Sequence, residues 1–237
     1  MSDVLSSYPL LLRGAWVTIQ LTVYGSVLAL VLAFVFGLTG GARSAWVRAA
    51  GRVYVEFFRG TATLVLMYWL FYALPLIGFR FAPMFAAVLA LGLNVGAYGA
   101  EVVRGAVKAV PKAQVEATIA LNMRPWQRLR RVLLPQAVAL MLPPFGNLLI
   151  ELMKGSAVVS LISITDLMLR AQQIRQSTGQ TTAVFLVILV MYFVIAQVLQ
   201  LLVRYLERRA DIMLGRRPGR AARSELGTLG ATAGATK

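Results

Sequence analysis

The sequence predicts an all-α membrane protein that crosses the bilayer several times. Three observations carry that prediction. The 237 residues are 59% hydrophobic and only 14% charged, with a mean hydropathy of +0.73, too apolar for a water-soluble chain of this length. The charges leave five uncharged windows of about 20 residues or more, the length a helix needs to cross the hydrocarbon core. The formal net charge of +15 is concentrated between those windows, where Lys and Arg orient a membrane protein. A soluble chain this basic would point to nucleic acid; in this pattern no nucleic-acid partner is expected.

The first window runs between Arg13 and Arg43, the second between Arg59 and Arg80, and the third between Arg80 and Glu101. The fourth lies between Arg131 and Glu151 and holds Pro135, Pro143 and Pro144, so it is expected to be kinked or split. Broken backbone at membrane depth is tolerated only where protein or a water-filled cavity covers it. The following "GSAVVSLISITDLML" is apolar but short, and reads as a re-entrant or interfacial helix. The fifth window lies between Arg175 and Arg204.

The segments after windows one, three and five carry 19 of the 24 basic residues, which places the amino terminus outside and the carboxyl terminus in the cytoplasm. The first residues lack the basic start and small-residue cleavage site of a removable signal peptide. Residues 1–214 are therefore expected to form the membrane domain. Residues 215–237, rich in Gly, Ala, Thr and Arg, are expected to be a disordered cytoplasmic tail, with arginines near anionic lipid.

Several chemistries are excluded by residue type. The chain has no Cys and no His, so zinc sites, haem ligation and Ser-His-Asp triads are not available to it. Its four lysines, Lys108, Lys112, Lys154 and Lys237, stand in no Gly-Lys-Ser/Thr loop, so no phosphate-cradling motif is present. No catalytic residue and no metal ligand is assigned. A membrane-embedded enzyme remains a remote alternative, and a passive channel would not need the cytoplasmic segment described below.

The third window has two faces. On a helix, Gly92, Gly96 and Gly99 share a narrow arc that suits close backbone approach. Asn94, Tyr98 and Glu101 share the opposite one. The first two either make interhelical hydrogen bonds or face a polar route, whereas Glu101 stands i,i+3 from Arg104 and reads as an ion pair. The fourth window repeats the theme. Asn147, Glu151 and Lys154 share a face, followed by Ser156, Ser160 and Ser163. Glu151 and Lys154 form either a self-satisfied pair at the outer interface or, with Ser156, the polar wall of a translocation route.

"EATIALNMRPWQRLRRVLLP", Glu116 to Pro135, carries one acid and four arginines in a chain that is otherwise apolar. Pro111 suits a first helical turn, Gln114 to Leu121 are good helix formers, and Asn122 sits where a left-handed C-cap would fall. Pro125 opens a second helix with Trp126, Leu129 and Leu133 on one stripe and Arg124, Arg128 and Arg131 elsewhere; Pro135 is expected to end it. The pattern is helix, sharp turn, amphipathic helix. An interfacial helix on anionic lipid would explain the arginines and Trp126, but not the preceding Glu116 and turn.

This stretch resembles the "EAA" loop of the permease subunits of bacterial ABC importers, whose pattern is Glu-Ala-Ala, a Gly four residues on, and a later Leu-Pro. Glu116, Ala117, Leu134 and Pro135 match. Thr118 replaces the usual Ala, and Asn122 the usual Gly; both Asn and Gly accept a positive φ. The resemblance extends from "GAWVTIQLTVYG" through "VEFFRGT" and "LPPFGNLLIELMKGSAVVSLISITDL" to the last window, and its pattern is that of the polar amino-acid branch.

The resemblance implies five core helices of the type I importer permease (MetI-like) fold in the bacterial cytoplasmic membrane. It implies that residues of about 109–135, with Glu116, Ala117, Asn122, Trp126, Arg128, Leu134 and Pro135, form the coupling loop that docks on an ATP-binding cassette ATPase dimer, Glu116 contacting the ATPase and the apolar stripe with Trp126 anchoring the loop to the permease core. ATP and Mg would lie on that partner, with no cofactor on this chain. A second permease subunit, more a related paralogue than a second copy, and an extracytoplasmic solute-binding protein complete the implied assembly. "LNVGAYGAEVVRGAV" with "ALNM" most resembles permeases for ectoine and hydroxyectoine; another polar amino acid such as glutamine, histidine or arginine is the alternative. Asn94, Tyr98, Glu151, Lys154 and Ser156 are the candidates for the translocation route.

Overall fold

Small residues decide how the helices pair. In the computed structural model, which describes residues 7–42 and 44–213, the first helix is α1 (Tyr8–Gly37), with Pro9 in its first turn. Its buried stripe includes Gly14, Thr18, Gly25, Ala29, Ala33 and Gly37. Without bulk on that face, helix α4 (Pro83–Lys108) lies along it at close range. The glycine arc predicted on α4 makes this contact. A Cβ on Gly92 would strike Leu28, one on Gly96 would meet Leu32 and the Tyr54 hydroxyl, and one on Gly99 would strike Ala33.

Between them the chain makes a 3-10 turn, Leu38–Gly41, and then helix α2 (Ala45–Gly60). α2 was not expected as an element, because its arginines interrupt any charge-free window. It is amphipathic: Gly51, Tyr54 and Val55 are buried while Trp46, Val53 and Phe57 are exposed. The chain then bends by 100° into α3 (Thr63–Tyr68), which continues as a π turn, Trp69–Ala73, and a 3-10 turn, Leu74–Ile77. The second window is thus the shorter half of a broken pair.

After α5 (Lys112–Ala120) comes α6 (Pro125–Arg128), then a π turn, Leu129–Leu133, that runs into α7 (Leu134–Gly155). One expectation fails here, and of the kink or split expected at the paired prolines the split is absent. Pro135 does not end the helix: the wide π turn, closed by Leu134 N–H donating to Leu129 O, runs on into α7 and takes Pro135 at their junction. Pro143 and Pro144 do not split α7; α1, α4 and α9 pack around it and hold its path.

The helical path ends in a 3-10 segment, Ser156–Ile162, turned by Ser163 at φ 62°. Helix α8 (Leu167–Thr178) and the last span, α9 (Thr181–Met213), follow. Among the described residues four helical runs are long and apolar enough to cross a membrane, and the bent pair adds a fifth where it is counted as one span. All regular structure among the described residues is helical. The tail expectation for 215–237 lies outside the described residues.

Candidate functional site

The segment from Pro111 to Leu134 makes the predicted helix, sharp turn and second helix. Asn122 lies at φ 52°, in the left-handed region. Its N–H donates to Ile119 O at 2.8 Å, and that of Met123 donates to Thr118 O at 3.0 Å. These are the two bonds of a Schellman cap, which satisfy the last carbonyls of α5. Pro111 caps α5 rather than entering its first turn. Pro125 starts α6, and the Gln127 side chain accepts from Arg124 N–H at 3.2 Å. Glu116 and Ala117 are exposed. Thr118 is buried, its hydroxyl turned back to Val115 O at 2.6 Å. Leu133 and Leu134 pack against Val103, Ala106, Val110, Ala137 and Met141, and so anchor the loop to the bundle. Trp126 does not join that anchor; its ring is 66% exposed.

The polar face of α4 turns toward the bend after α2. The Asn94 amide donates to Phe58 O at 2.8 Å and to Thr61 O at 3.1 Å. These carbonyls end α2 and would otherwise lack donors. The Tyr98 hydroxyl donates to Arg59 O at 3.4 Å, with the Arg59 guanidinium 5.2 Å from the Tyr98 ring centre. Glu101 pairs with Arg104, as its spacing predicts, and with Arg59 at 3.7 Å. This row pins the broken pair to α4.

The polar face of α7 does something else. Asn147, Glu151 and Lys154 line a groove of about 640 Å³ facing Tyr192, Gln197 and Gln200 of α9. Glu151 and Lys154 are exposed, and among the described residues neither has an ion-pair partner, not even each other. Ser156 does not reach the groove. It is buried, its hydroxyl donating to Met153 O at 2.7 Å. Asn94 and Tyr98 do not line the groove either. The route candidates therefore separate: Glu151 and Lys154 come together in one groove, while Asn94, Tyr98 and Ser156 are occupied elsewhere. Gln197 and Gln200 were not anticipated, although two glutamines three residues apart in so apolar a span are a readable signal.

Asp166 is a further unanticipated residue. It caps α8, its Oδ1 accepting from Leu169 N–H at 2.9 Å. Its Oδ2 is buried without a hydrogen bond. Burial pushes the carboxyl up to about 6, against the opposing pull of backbone N–H donors. The Asp-Leu pair opening a helical pattern was the available signal.

The sequence profile of the family described as "Binding-protein-dependent transport system inner membrane component" matches residues 8–212. A probable amino-acid ABC transporter permease protein of Sinorhizobium fredii, y4tF, is 45% identical over 86% of this chain and 89% of its own length. A second permease from the same organism, y4tG, also described as a probable amino-acid permease, is 35% identical over 92% of each chain. Among solved structures, the crystal structure of an amino acid ABC transporter with histidines superposes with a TM-score of 0.81 at 30% identity, over 86% of this chain and 96% of that one.

Proposed function

The chain belongs to the family of binding-protein-dependent transport system inner membrane components, and from that premise we propose that it carries a polar amino acid inward as one transmembrane subunit of an ATP-driven importer. The observation that supports the substrate class is the pair Glu151 and Lys154. Each is exposed in the groove between α7 and α9, and among the described residues neither lies within ion-pair distance of an opposite charge. A charge on a span at membrane depth is costly unless it finds a partner or water. A zwitterionic amino acid supplies both partners, its ammonium to Glu151 and its carboxylate to Lys154, with Gln197 and Gln200 left for the side chain.

The two S. fredii permeases are described as probable amino-acid permeases and the solved transporter as an amino acid transporter, which supports this reading above the ectoine or hydroxyectoine expectation. Ectoine is also a zwitterion, so the groove alone does not separate the two. ATP hydrolysis is assigned to an ATPase dimer gripping the α5–α6 turn, and ATP and Mg to that partner. The presence of two such permeases, y4tF and y4tG, in one organism supports a related paralogue as the second permease. The distribution of Lys and Arg supports an inner-membrane orientation with the amino terminus outside.

The test is uptake by the reconstituted importer of labelled glutamine, histidine, arginine and ectoine, each competed by the others. Saturable uptake of an amino acid, lost in both Glu151→Gln and Lys154→Gln, is the expected result. Uptake of ectoine that no amino acid competes would replace the amino-acid reading.

A further inference from the structure

We propose that a basic cavity at the end of α1 and α4 holds the headgroup of an anionic phospholipid. The cavity encloses about 510 Å³ and is floored by the turn Leu38–Gly41. Four cations line it, Arg48 and Arg52 from α2 and Arg104 and Lys108 from α4, and Trp126 and Leu129 close it from the α6 side. No acidic residue lines it. Arg104 is partly neutralised by Glu101, and Arg48 donates to Ala42 O at 2.8 Å. Arg52 and Lys108 have no carboxylate partner among the described residues, although Glu56 stands one turn from Arg52 on the same helix. An anion is therefore the complementary occupant.

Position and wall chemistry point to lipid rather than free phosphate. The cavity lies where two candidate spans, Tyr8–Gly41 and Pro83–Lys108, both end, the level at which headgroups lie. α2 exposes Trp46, Val47 and Val53 beside its arginines, the composition of a helix lying in the interface. The remaining walls are largely apolar, and the exposed Trp126 ring stands at the rim. A phosphodiester on Arg52 and Lys108 with acyl chains passing Leu129 satisfies both kinds of wall, as basic pockets between spans do for anionic headgroups. Because the cavity joins the α6 segment to α2 and α4, its occupant would brace the base of the coupling loop.

The test uses the importer purified in detergent, titrated with phosphatidylglycerol or phosphatidylcholine and read by native mass spectrometry. Phosphatidylglycerol is expected to bind at least about tenfold more tightly. Arg52→Gln with Lys108→Gln should reduce that preference to about twofold, while Arg52→Lys with Lys108→Arg should keep it. Should the double variant fail to assemble, each single Gln variant is expected to lose about threefold. An equal affinity for the two lipids would overturn the proposal. So would an unchanged preference in both single variants, or an equal loss in a remote Arg204→Gln, Arg208→Gln pair. Displacement of phosphatidylglycerol by millimolar inorganic phosphate would make this a phosphate site and would also overturn it.

Discussion

The backbone N–H of Met123 donates to the carbonyl of Thr118 at 3.0 Å, across an Asn122 held at φ 52°. That relationship sets the angle between α5 and α6, and hence the shape of the segment proposed to meet the ATPase. The position requires a residue that tolerates the left-handed region, and both Asn and Gly do so. Asn122→Gly is therefore expected to keep uptake within about twofold. Asn122→Val puts a β-branched side chain where it costs about 1–2 kcal/mol and should lower coupled uptake severalfold. Uptake by reconstituted importer measures both; a deficient Gly variant would mean that the Asn side chain itself contacts the partner.

Glu116 is exposed on α5, two residues before the buried Thr118. Charge reversal there leaves the packing of Leu133 and Leu134 untouched. Glu116→Lys should therefore reach the membrane in normal amount, hydrolyse ATP in the assembled complex, and lose uptake by at least about tenfold, the scale of a truncated hot-spot contact. Normal uptake by that variant would sink the assignment of this segment as the coupling loop.

Asn94 bridges the 100° bend by donating to Phe58 O and Thr61 O. Asn94→Ala leaves two buried or half-buried carbonyls unpaired at a cost of about 1–3 kcal/mol, a drop of several degrees in the thermal midpoint. Asn94→Asp is expected to be worse, since an ionised carboxylate opposes both carbonyls. The order Asn, Ala, Asp in thermal midpoint, measured by tryptophan fluorescence, checks the capping role. If Asp were tolerated and uptake alone fell, the residue would instead act on the solute.

Gly99 and Gly105 lie on the same helix in opposite circumstances. A Cβ at Gly99 would sit 2.7 Å from Ala33 Cβ and 3.1 Å from Phe145, whereas at Gly105 it meets nothing within 4 Å. Gly99→Ala should destabilise by about 1–3 kcal/mol through overpacking. Gly105→Ala should be neutral or stabilise by up to about 1 kcal/mol, because Ala is the better helix former. Thermal midpoints of the two variants, compared in one detergent, distinguish packing from propensity.

What could be read in advance was local. The arc Gly92, Gly96, Gly99 follows from helical period alone, as does the Glu101–Arg104 pair, and Asn122 follows from cap chemistry. What could not be read depended on neighbours far along the chain. α2 was hidden because Arg48, Arg52 and Arg59 break its apolar run, and its helical character shows only when Gly51, Tyr54 and Val55 find α4 and the Leu38–Gly41 turn to pack on. Pro143 and Pro144 suggested a break that the surrounding helices prevent. Asn94 and Glu151 look alike in sequence, each a polar residue in an apolar span, and only the path of α2 and α9 decides that one is a cap and the other lines a groove.

Asp166, the cap of α8, should make the packing of that helix depend on pH. Its surroundings are Thr18 of α1, whose Oγ1 accepts from Leu167 N–H at 3.3 Å, Tyr192 of α9, and Arg170 on its own helix, whose backbone N–H donates to Asp166 O. Among the described residues no charge partner neutralises its buried Oδ2. The folded carboxyl titrates at about 6, above its ordinary 3.8, so the folded state holds the proton more tightly than the unfolded one. The stabilisation is then complete below pH 3.8 and is lost as pH rises through about 6. Over that window the packing of α8 on Leu11 and Ala15 should weaken by on the order of 2 kcal/mol. Amide exchange in α8, corrected for intrinsic rates, should accelerate accordingly in the native chain. Asp166→Asn keeps an oxygen for Leu169 N–H but has no proton to lose, so its exchange protection should be flat with pH. A variant that still followed the native profile would transfer the effect to another group.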